Sequence, residues 1–128
     1  MPEGKLDILK PFGPSIVKIQ IPEQIIFSLN EYVDKILADE KKTAELDYGK
    51  NLAGNVKQEF KVEEDLLRST GLANLLANAV LKWIETTDKK KISTFNVLSS
   101  WIVRQFENEY NPIHYHSGHI SGVGYLKL

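Results

Sequence analysis

The stretch Ile92-Ser93-Thr94-Phe95-Asn96-Val97-Leu98-Ser99-Ser100-Trp101-Ile102-Val103-Arg104-Gln105-Phe106 decides how the fold is read. It is rich in β-branched and aromatic residues, which suit a pleated, half-buried surface. Phe95, Val97, Trp101 and Val103 alternate with Asn96, Leu98, Ser100, Ile102 and Arg104, and this period of two predicts one long strand, or two joined by a bulge. Asn111-Pro112 then favours a turn, and residues 120–128 alternate again around Gly122 and Gly124, predicting a further strand. The chain stops inside that pattern, before ladder partners and an opposing sheet have been supplied. The expectation is therefore a fragment, truncated at its C-terminal side.

Upstream of this stretch, Lys89-Lys90-Lys91 reads as a solvated turn. Before it a helix is predicted over 63–87, with Leu72, Leu75, Leu76, Ala79, Val80, Trp83 and Ile84 on one face and Gly71 as a break or kink. Periodicity fails from Thr43 to Lys61, where Asp47, Gly49, Asn51, Gly54 and Asn55 supply loop chemistry; residues 51–59 read as a plain connector or as a lid. A first helix runs from Pro22 to about Lys41, its apolar face carrying Ile25, Ile26, Leu29, Val33, Ile36 and Leu37. Residues 15–21, between Pro14 and Pro22, alternate as a short edge strand. The class expected is α+β in one domain over 1–128: residues 1–91 give mainly helical support, and residues 92–128 the first core strands.

Composition narrows the functions. A chain of 128 residues, 42% hydrophobic, with a formal charge of −1 has the make-up of a soluble globular protein. No stretch approaches the roughly 20 apolar residues that span a bilayer, so no membrane partner is expected. The balanced charge offers no footprint for nucleic acid. The absence of Cys excludes disulfides, thiolate zinc sites and a cysteine nucleophile, and it fits a cytoplasmic location.

All three histidines lie within six positions, in Asn111-Pro112-Ile113-His114-Tyr115-His116-Ser117-Gly118-His119. In an extended segment residues i and i+2 share a face, so His114 and His116 can aim two imidazoles at one point, as neighbouring ligands of iron, zinc, copper or nickel. The other reading is a pair of loop histidines hydrogen-bonded to backbone or water. His119 falls on the opposite face as a rim residue; a three-histidine site would need a bend at Ser117-Gly118. Asn111 reads as the residue setting the turn that aims His114, at the edge of the same site.

The run from Ser100-Trp101 through Asn111-Pro112-Ile113-His114-Tyr115-His116-Ser117-Gly118 to Ile120-Ser121-Gly122-Val123-Gly124-Tyr125-Leu126 resembles the 2-oxoglutarate/iron(II)-dependent oxygenases. The likeness is to their small members from marine bacteriophages and metagenomes. Leu9-Lys10-Pro11-Phe12-Gly13-Pro14, Asn51-Leu52-Ala53-Gly54-Asn55 and Gln58-Glu59-Phe60 are similar to these proteins too, so the resemblance covers most of the chain.

The resemblance implies an N-terminal strand and two helices packed on an incomplete double-stranded β-helix, or jelly-roll. It implies iron(II) and 2-oxoglutarate as cofactors of a C–H hydroxylating dioxygenase, acting on a small molecule or a peptide. His114 matches the first metal ligand, and His116 stands where most relatives have a carboxylate. The family's distal histidine and the basic residue that pairs 2-oxoglutarate fall beyond Leu128. Tyr125 is a candidate contact for 2-oxoglutarate or a core tyrosine, and Arg104 a candidate carboxylate partner or a surface arginine. Two alternatives stay open: a non-catalytic β-sandwich serving phage structure or assembly, and a cupin-like metal protein. The cupin pattern expects a glutamate where Ile120 and Ser121 stand. An exposed sheet edge and an incomplete core also lead to an expectation of self-association.

Overall fold

The computed structural model describes residues 5–46 and 58–128, and it is mixed α and β. The elements among these residues, in order, are β1 (Leu6–Leu9), β2 (Ile16–Ile19), α1 (Glu23–Leu37), α2 (Glu40–Leu46), β3 (Gln58–Lys61), α3 (Glu64–Ser69), α4 (Leu72–Asp88) and β4 (Trp101–Arg104). The strands form two antiparallel pairs, β1 with β2 and β3 with β4. No helix among the described residues is long and apolar enough to cross a membrane.

The chain divides into two compact units, one from 1–29 and 65–97, the other from 30–64 and 98–128. In the first, β1 and β2 pair with Leu6 opposite Ile19 and Leu9 opposite Ile16, and the Gln20 amide donates to Lys5 O to lengthen the ladder. The predicted strand at 15–21 is thus present, with a partner at Leu6–Leu9 that the polar N-terminal residues conceal. Helix α4 packs against β2, and Trp83 Nε1 donates to Ser15 Oγ at 2.8 Å. Ile25, Leu29, Ala79 and Val80 are buried here, on the faces the helical periodicity assigns, and Leu67 of α3 is buried as well.

The second unit is built on the β3–β4 pair, in which Phe60 faces Ile102 and Gln58 faces Arg104. Because strand side chains alternate, Phe60 and Ile102 share a face, and they meet Val33 and Ile36 of α1 together with Tyr32, Leu37 and Leu46. Phe60 is 0% exposed. Just beyond the pair, Val62 N donates to Ser100 O and Ser100 Oγ to Val62 O.

Three expectations change at element level. The first helix ends at Leu37 instead of about Lys41, since Asp39 Oδ1 accepts from the amides of Lys41 and Lys42 and so begins α2, which starts where the first helix is expected to end and runs on into what reads as loop. Of the rest of the expected loop over 43–61, residues 47–57 lie outside the described residues, as does most of the lid or connector at 51–59, and residues 58–61 form strand β3 where a loop is expected. The long strand over 92–106 is only Trp101–Arg104, and 120–128 holds no strand, because alternation marks a surface that could pair without supplying a partner. The break at Gly71 is present: its φ of 83° separates α3 from α4, a left-handed conformation that glycine adopts without a Cβ clash.

Candidate metal centre

Beyond Arg104 the backbone turns tightly. Glu109 N donates to Phe106 O, Phe106 N donates to Glu109 Oε2 at 3.0 Å, and Gln105 Nε2 donates to Glu109 O. Asn108 adopts φ 65°, a left-handed value that Asn tolerates better than most residues. The carboxylate of buried Glu109 thus closes the turn from within, and the chain after it comes back alongside the start of β4.

On that returning segment the two histidines meet. His114 Nε2 and His116 Nε2 are 3.0 Å apart, their rings 4.6 Å between centroids and nearly perpendicular at 83°. His114 Nδ1 lies 2.7 Å from Pro112 O. A carbonyl can only accept, so His114 carries a proton on Nδ1, and in its neutral form the ring presents a lone pair at Nε2 toward His116. On its other side the His116 ring is 5.4 Å from the Trp101 ring, tilted by 43°.

The spacing can be tested against what a metal asks of two imidazoles. At an imidazole–metal distance of about 2.0–2.1 Å, two cis nitrogens stand roughly 2.9 Å apart at a right angle and roughly 3.3 Å apart at the tetrahedral angle. The observed 3.0 Å falls between these, nearer the right angle. A second-sphere hydrogen bond from the far ring nitrogen to a backbone carbonyl is also what metal-bound histidines ordinarily have. The pair fits a divalent metal as two adjacent ligands. Among the described residues no group of three or more His, Asp or Glu is placed to hold an ion.

The other candidate residues are placed as follows. His119 is exposed and does not join the pair; Gly118 does bend the chain before it, at φ 102°, with Leu98 Cδ1 3.4 Å from where a Cβ would stand. Asn111 is exposed beside Pro112, whose carbonyl anchors His114. Arg104 points its guanidinium at Gln58 Oε1 and lies 5.1 Å over the Phe106 ring, which accounts for it as a cross-strand residue of the β3–β4 pair. Tyr125 is 73% exposed, so the core reading of it fails. Trp101 is 41% exposed and stands against His116. Two contributors escape sequence reasoning, the Pro112 carbonyl and the Glu109 carboxylate. For Glu109 the only signal is the break in alternation after Arg104.

Comparison of the chain with models of known families, with curated proteins and with solved structures gives no match.

Proposed function

We propose that this chain binds a divalent first-row transition metal through His114 Nε2 and His116 Nε2, as the metal-holding part of a 2-oxoglutarate/iron(II)-type oxygenase. The observation that carries the reading is the 3.0 Å convergence of the two Nε2 atoms, with Pro112 O fixing the tautomer of one of them. Iron(II) held there would supply the oxidative chemistry, with 2-oxoglutarate as co-substrate. The protein's own part is to orient His114 through Pro112, to let His116 serve where relatives use a carboxylate, and to leave the outer side of the pair open to solvent and small ligands. The jelly-roll belongs to the same reading, with β3, β4 and the extended segments after them as its first strands, and so does a cytoplasmic location. Arg104 is engaged with Gln58 and Phe106, whereas Tyr125, exposed like the two histidines, is the remaining candidate contact for 2-oxoglutarate.

The test is anaerobic calorimetry with iron(II) and 2-oxoglutarate. Wild type is expected to bind iron, and to bind 2-oxoglutarate only in its presence; His114→Ala should lose both. Absence of both ligands from wild type would overturn the proposal. A second reading, a non-catalytic metal-binding β protein, is favoured by the exposure of both histidines. It predicts metal binding that 2-oxoglutarate leaves unchanged.

A further inference from the structure

His114 has an anchor in Pro112 O, whereas His116 sits on a segment with no helix or strand around it. An exposed imidazole free to turn about its side-chain bonds would spend little time with Nε2 aimed at its neighbour, and a metal would have to immobilise it on binding. Besides His114, the ring that His116 meets is the indole of Trp101, at a centroid distance and tilt within the range of favourable aromatic pairs.

We infer that Trp101 is a positioning residue for the metal pair, holding the His116 imidazole so that Nε2 faces His114 Nε2. The inference rests on the metal reading above and extends it to a residue that does not itself bind the metal.

The mounting of the indole supports this. Trp101 opens β4 opposite Lys61, and the Ser100–Val62 hydrogen bonds lie next to it in the ladder, so its backbone is fixed by pairing on β3. Strand alternation sends Ile102 into the cluster with Phe60, Val33 and Ile36 and sends Trp101 to the opposite face. The indole is therefore separable from the core: truncating it leaves the Phe60 cluster in place. The Pro112 carbonyl and the Trp101 ring divide the work, one fixing a tautomer by hydrogen bonding and the other fixing a ring plane by packing.

The experiment is a zinc(II) titration against a chromophoric chelator for wild type, Trp101→Ala and Trp101→Phe, with thermal unfolding of each metal-free protein as the control for folding. Loss of an outer partner of a metal-bound histidine weakens binding roughly 10- to 100-fold, and Trp101→Ala should fall in that range while Trp101→Phe, which keeps an aromatic face, stays near wild type. Equal affinity for wild type and Trp101→Ala would overturn the inference and leave the metal site standing. No zinc binding by wild type would overturn the metal reading itself. Should Trp101→Ala fail to fold, Trp83→Phe leaves Trp101 as the single tryptophan. Copper(II) should then quench its emission at site-filling concentrations, and unchanged emission with copper bound would overturn the contact.

Discussion

The two histidines differ in what surrounds them, and that difference governs how much of the site is legible. Their i, i+2 spacing is written in the sequence, and with it the capacity to share a face. The Pro112 carbonyl and the Trp101 ring are not, because one is a backbone group and the other arrives through a chain reversal closed by Glu109. At this scale Phe60 carries the clearest energetic expectation. Wholly buried in the second unit's cluster, it should cost about 3–5 kcal/mol when truncated in Phe60→Ala, read by denaturant unfolding. Tyr32, which donates to Lys61 O, has its hydroxyl pKa raised by burial and then by the Glu63 carboxylate. The folded state thus holds its proton more tightly than the unfolded state. The associated stability is complete below the unfolded value of about 10 and is lost as pH rises through the higher folded one. Thermal unfolding from neutral to strongly alkaline pH should show wild type losing more stability than Tyr32→Phe; parallel curves would contradict this.

Among the elements, helices were easier to read than strands, and the reason is where each finds its hydrogen-bond partners. A helix satisfies its backbone internally, so the apolar spacing of Ile25, Leu29, Val33 and Ile36 was enough to place α1 and its buried face. A strand needs another strand. Alternation over 92–106 could not reveal that only Trp101–Arg104 has Gln58–Lys61 opposite it, nor that Leu6–Leu9 would pair with Ile16–Ile19. The end of α1 was missed for a local reason: Asp39 interrupts a sequence whose helical pattern continues, capping α2 while Thr43 Oγ1 reaches back to Ile36 O at 2.7 Å. Asp39→Ala should cost about 1 kcal/mol through the lost cap, measured as a lower denaturation midpoint with unchanged slope.

For the molecule as a whole, large apolar side chains concentrated on the C-terminal residues are the property to explain. Ile113 and Tyr115 are 105% and 94% exposed, and Leu98, Val123 and Leu128 are exposed as well. Apolar surface of that extent tends to be covered by a partner, and self-association in the micromolar range is expected from sedimentation velocity. A single monomeric species across that range would contradict the expectation.

The central claim, that His114 and His116 hold a metal through their Nε2 atoms, is tested most directly by following histidine ring nitrogens by NMR during a zinc(II) titration. Nε2 of His114 and of His116 should change together and saturate together, with the His114 Nδ1 proton retained and the ring of His119 unaffected. Ring nitrogens that stay unchanged at saturating zinc, or a response from His119 alone, would contradict it.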